Sequence, residues 1–148
     1  MNKHVIRNII TASCVIVLMI LTAGCSTTKQ VNSDEKEKIS ALVMPKIDSM
    51  MQGFSDNNYQ KFSEFFDAKM LVGMPESGFN DARKMITDKI GNYQSYEIAD
   101  IMETQNFITV ICSAVFDNEE KVTIRVIFDP DADYAISGIW FDSPELRK

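Results

Sequence analysis

From residue 39 the apolar positions Ile39, Leu42, Val43, Ile47, Met50, Met51 and Phe54 recur at intervals of three and four, the spacing of an amphipathic helix. Pro45 falls inside that pattern and predicts a kink or a fresh start there, because its ring clashes with the carbonyl four residues back and it donates no hydrogen bond. Asn57 or Asn58 predicts a cap for a second helix carrying Tyr59, Phe62, Phe65 and Phe66. Gly73, Pro75 and Gly78 read as a loop. A third helix is expected from Asn80 through Ala82, Met85, Ile86 and Ile90, ending at Gly91. Beyond Gly91 everything reads as strand, over residues 93–103, an apolar run at 107–116, a cleanly alternating stretch at 122–128 and a last one at 134–141, with links at 117–120 and 129–133 short enough for hairpins. The pattern predicts an α+β fold in which three N-terminal helices pack on a curved four-stranded antiparallel sheet. No period of 20 to 50 residues repeats.

Ahead of this domain, Ile9 to Leu21 are apolar apart from Thr11 and Ser13, follow Lys3 and Arg7, and give way to small residues. That is the layout of an export signal. The run is shorter than the roughly 20 apolar residues of a membrane span and lacks a stop-transfer cluster. Leu21-Thr22-Ala23-Gly24-Cys25 resembles the lipobox of prokaryotic lipoproteins, although Thr22 stands where leucine is commonest and Leu21 lies one place further out. The resemblance implies a signal over residues 1–24, a lipid on Cys25, a polar tether over 25–34 and a domain over 35–148. It places the protein on a membrane by its lipid, at the cell surface or in the periplasm. An uncleaved N-terminal anchor helix is the alternative.

Composition narrows the partners. The chain has 15 basic and 21 acidic residues; with Lys3 and Arg7 in the leader, the remainder carries 13 basic against 21 acidic, a net charge of −8. Nucleic acid is a poor partner for such a balance, and solubility of an exported surface accounts for it. Of the three cysteines, Cys14 leaves with the signal and Cys25 carries lipid, so no intrachain disulfide is expected. Cys112 lies within an apolar strand and reads as a small buried hydrophobe.

Four segments carry a further resemblance: Asn58-Tyr59-Gln60-Lys61-Phe62, Lys89-Ile90-Gly91-Asn92-Tyr93-Gln94-Ser95, Ala114-Val115-Phe116, and Ile136-Ser137-Gly138-Ile139-Trp140-Phe141. Together they look like a domain of unknown function found in bacterial and archaeal lipoproteins and ahead of some exported α/β-hydrolases. That family is similar to the cystatin-like fold of nuclear transport factor two and ketosteroid isomerase. Asn58 stands where the family often has aspartate, an equivalent cap. The resemblance implies a fold and an exported setting, with no catalytic residues to carry over.

The single histidine, His4, lies in the leader. This removes Ser-His-Asp and Cys-His catalysis, imidazole bases and the usual zinc sets from the rest of the chain. Asp100 with Tyr93, Tyr96 or Tyr134 is the carboxylate and phenol combination left for proton transfer, and no spacing joins them. Asp129-Pro130-Asp131-Ala132-Asp133 alternates carboxylates as a calcium loop does, but Tyr134 stands where the turn needs glycine and Trp140 where the bidentate glutamate belongs. No metal site and no cofactor is expected. The wealth of Met and Phe predicts either plain core filling or an adaptable apolar pocket lined by Met50, Phe54, Phe62, Phe66, Met85 and Trp140. The expected role is a non-catalytic binding or interaction module for a small apolar ligand or a protein. Its rivals are a histidine-free isomerase or cyclase and a structural lipoprotein that dimerises through its sheet.

Overall fold

The computed structural model describes residues 28–148. The expected signal, its cleavage point and the expected lipid site Cys25 lie outside the described residues. The chain forms β1 (Thr28–Gln30), α1 (Ser33–Ser55), α2 (Tyr59–Phe62), α3 (Ala68–Gly73), α4 (Glu76–Ile90), β2 (Tyr93–Thr104), β3 (Phe107–Phe116), β4 (Glu119–Asp129) and β5 (Ala135–Asp142), with one 3-10 turn at Pro130–Ala132. The five strands pair antiparallel in the order β1-β2-β3-β4-β5. The class is α+β as the pattern predicts, with four helices and five strands instead of three and four.

The differences have local causes. α1 runs unbroken through Pro45, which lies on its exposed side where the unpaired carbonyl of Ala41 can meet water. Asn58 caps α2 by accepting from the Lys61 amide at 3.1 Å, but the helix ends at Phe62. Phe65 and Phe66 belong instead to a segment that docks on the edge of β5: the Ile136 amide donates to the Phe65 carbonyl at 2.7 Å, and the Asp67 amide donates to the Ile136 carbonyl at 3.0 Å. Asp67 then caps α3 within the expected loop, accepting from the Met70 amide at 2.6 Å. α4 begins four residues before the expected cap Asn80, at Glu76 behind Pro75. It stops at Gly91, whose φ of 85° and ψ of −166° suit a residue without a side chain. The additional strand, β1, lies within the stretch read as a tether and pairs Thr28 with Thr104 and Gln30 with Met102.

β3 buries every second residue, Ile108, Val110, Cys112, Ala114 and Phe116, and β4 does the same with Val122, Ile124, Val126 and Phe128. These meet the stripe Ile39, Val43, Ile47, Met50, Met51 and Phe54 of α1. Phe54 touches Phe79, Phe116 and Phe141, with ring centroids 6.5, 6.3 and 5.3 Å apart, and Phe62 lies 4.6 Å from Phe79. α1 and α2 approach so closely at Gly53 that an added Cβ would come within 2.2 Å of the Phe62 nitrogen.

Candidate functional site

A concavity opens between α1 and β2. Ser40, Met44 and Asp48, spaced by four on one helix face, form one wall, and the run Tyr93, Gln94, Ser95, Tyr96, Glu97, Ile98 forms the other, around about 460 Å³. A β-bulge between Tyr93 and Ser95 shapes this wall. In an unbroken strand, residues three apart point to opposite faces. The extra residue turns both Tyr93 and Tyr96 to the helix side, where they stand opposite the buried Phe116 and Ala114.

The two tyrosines are half-buried, while Asp48 is exposed. The Tyr96 hydroxyl donates to Asp48 Oδ1 at 2.7 Å. Burial, followed by this hydrogen bond and the Asp48 charge, pushes the Tyr96 phenol far above its ordinary range. Burial and then the Asp48 charge push Tyr93 up to about 12. Both hydroxyls therefore stay protonated at neutral pH, and that of Tyr96 donates to Asp48. Cys112, opposite Ile98 on β3, is buried and its thiol is pushed up to about 12, so it offers no thiolate. The groove can bind through phenol donors, a carboxylate acceptor and the polar groups of Ser40, Gln94 and Ser95, against the apolar side chains of Met44 and Ile98.

Asp100, the carboxylate expected to serve a tyrosine, is occupied elsewhere. Lys36 Nζ lies 2.5 Å from its Oδ1 and holds its carboxyl below the ordinary range, helped by the Ile101 amide. Tyr134, at positive φ in the β4–β5 connection, does not line the groove. The partner that sequence reasoning missed is Asp48. Its neighbours read as the solvent face of a helix, and only the four-residue ladder of Ser40, Met44 and Asp48 could have marked it.

The six residues expected to line a pocket do not surround one cavity. Met50 and Phe66 are buried in the core. Phe54 and Phe62 border a void of about 50 Å³, room for a water or two and no organic ligand. Met85 is 48% exposed, on the outside of α4. Trp140, 60% exposed, stands with Gly138 along a second groove of about 270 Å³ walled by Lys69, Met70, Gly73 and Met74 of α3 and its end. The α1–β2 groove and the groove beside Trp140 both border the helices, and a further concavity of about 370 Å³ lies on the sheet against Ser95, Ser113, Val115, Glu120 and Lys121. Among the described residues no cluster of three or more His, Cys, Asp or Glu could hold a metal ion, and no helix is long and apolar enough to cross a membrane.

This arrangement, four helices and a five-stranded antiparallel meander with a tyrosine-lined groove, falls within a family defined by sequence. The chain belongs to the family described as Protein of unknown function (DUF3887), whose model matches residues 48–138. The matched stretch begins at Asp48 and includes Tyr93 and Tyr96. No curated protein and no solved structure matches the chain.

Proposed function

We propose that this protein is a non-catalytic binding module with a cystatin-like α+β domain, held by a lipid on Cys25 at the extracytoplasmic face of a membrane, and that its ligand sits in the α1–β2 groove. The observation that carries the reading is the groove's chemistry: two protonated phenols and an exposed carboxylate line about 460 Å³, against about 50 Å³ in the void beside Phe54 and Phe62. A small ligand with both an apolar part and hydrogen-bonding groups suits that lining better than a wholly apolar one. Proton abstraction is poorly served there, because Asp48, the groove's hydrogen-bonded carboxylate, is exposed to water and already accepts from the Tyr96 hydroxyl. The lipid anchor rests on the lipobox and the uncharged run before it.

Native mass spectrometry of the mature protein, purified from membranes, tests this reading. A co-purified small molecule that is lost from Asp48→Ala and Tyr96→Phe, but kept by Trp140→Ala, is the expected result. A ligand-free dimer would favour the structural lipoprotein instead. A ligand released in chemically altered form would favour the isomerase-like reading, for which the hydrogen bond between Tyr96 and Asp48 is the supporting feature.

A further inference from the structure

The position of β1 says how the domain stands on its membrane. Only Ser26 and Thr27 separate Cys25 from Thr28, the first residue of the sheet. An extended chain covers at most about 3.6 Å per residue, so Cys25 lies within about 11 Å of Thr28. Thr28 pairs with Thr104, and Thr104 pairs with Phe107, so the chain enters the sheet beside the tip of the β2–β3 hairpin. Neighbouring strands are about 4.8 Å apart, which puts Phe107 only about 10 Å further across that row.

This tip differs from the other two strand connections. The β3–β4 turn is acidic, with Asp117, Glu119 and Glu120, and the β4–β5 connection carries Asp129, Asp131 and Asp133. The β2–β3 tip is Thr104-Gln105-Asn106-Phe107, without a charge, and Phe107 is 39% exposed. Gln105 and Asn106 take φ of 51° and 67°, the tight two-residue turn usually given to Asn-Gly, so the tip is short. Nearby, the exposed Lys29 is matched by Glu103 at 3.3 Å.

We propose that the β2–β3 tip rests on the lipid headgroups, with the Phe107 ring in the bilayer interface. The proposal rests on the lipid-anchor reading and adds an orientation to it. An uncharged aromatic corner is suited to the interface, where amphipathic and aromatic groups gain by partial burial. The acidic β4–β5 connection lies at the same end of the sheet but two strands further from the anchor. Its three carboxylates favour water over the bilayer, so the domain stands on one corner instead of lying flat on that end. The β3–β4 turn, at the opposite end, points away from the membrane.

The test uses the full lipidated chain in phosphatidylcholine vesicles whose acyl chains carry bromine, which quenches nearby tryptophan. Trp140 is the single tryptophan, so Phe107→Trp is made together with Trp140→Phe. The expected result is quenching of the emission at position 107 to less than half, with a blue shift, while Trp140 in the unaltered protein loses less than a fifth. Thr104→Trp in the same background supplies a second reporter if the first variant fails to fold. A mass spectrum first establishes lipid on Cys25. If that lipid is absent, both the anchor and the orientation fall. If it is present and the tip reporter is quenched no more than Trp140, the orientation alone is overturned.

Discussion

Phe54 and Tyr96 both belong to the layer between helices and sheet, but one stands at its filled end and the other at the open end that adjoins it through Phe116. Around Phe54, rings from α1, α4, β3 and β5 meet edge-to-face or stacked and leave almost no space. Around Tyr96 the layer stays open, because the hydroxyl needs a partner and finds it in Asp48 at the helix surface instead of in the interior. One oxygen atom separates filling from lining. A phenylalanine is most stable when surrounded, whereas a tyrosine is stable with its ring half-buried and its hydroxyl wet or paired. The Phe-rich end thus carries stability, and the Tyr-rich end is free to carry recognition.

The largest effect should come from breaking the filled end. Phe54→Ala removes a side chain 2% exposed, with three ring contacts, and should destabilise the domain by about 3–5 kcal/mol in urea unfolding. A loss under about 1 kcal/mol would mean that the cluster is not the stabilising core. The next effect lies at the entrance to β2, which sets the tyrosine wall. An ideal Cβ on Gly91 would lie 2.5 Å from Asp117 Cβ, and Asp117 in turn accepts from the Asn92 amide at 2.8 Å and from Gln94 at 2.6 Å. Gly91→Val should therefore cost about 1–3 kcal/mol, read as a lowered melting temperature. An unchanged melting temperature would show that the turn relaxes freely.

The two ends were not equally legible in the sequence. The filled end announces itself: apolar spacing of three and four gives the stripe of α1, and a nearly continuous apolar run gives β3 with its observed bounds, Phe107–Phe116. Gly91 is visible as a helix stop because no other residue fits that turn so easily. The groove is hidden, since it depends on a bulge that alternation cannot register and on an aspartate that looks like ordinary solvent-facing polarity. The short β1 is equally hidden. Three polar residues carry no apolar period, and their strand character comes entirely from pairing with β2. α3 was masked by its glycine and the proline just beyond it, although Asp67 is a recognisable cap. None of its residues is buried, so no apolar stripe faces the core.

Removing the distinguishing atom itself should have a modest effect on stability. Tyr96→Phe loses one hydrogen bond to an exposed carboxylate and should cost about 1 kcal/mol or less at neutral pH. Its ligand occupancy should fall far more than its stability. If stability fell by several kcal/mol instead, Tyr96 would belong to the core and the contrast between the two ends would be lost.

The finest test is alkaline pH, where the sign of the effect follows from the protons. The folded protein keeps the Tyr93 proton to about 12 and the Tyr96 proton beyond the ordinary phenol range, whereas the unfolded chain releases both near 10. Above pH 10 the folded state therefore binds more protons than the unfolded one, and stability falls as pH rises. Below pH 10 these groups contribute their full stabilisation and no slope. Tyr93 and Tyr96 should titrate late in the ultraviolet spectrum of the native protein and near 10 in denaturant. Lysines also titrate in this range, so the reading is the difference between the unaltered protein and Tyr96→Phe. The advantage of the unaltered protein should be constant from pH 7 to about 10 and shrink between 10 and 12. A difference that stays flat, or grows, through that window would mean that the Tyr96 hydroxyl is not held protonated by burial and Asp48, and the groove would lose the donor on which the proposed recognition depends.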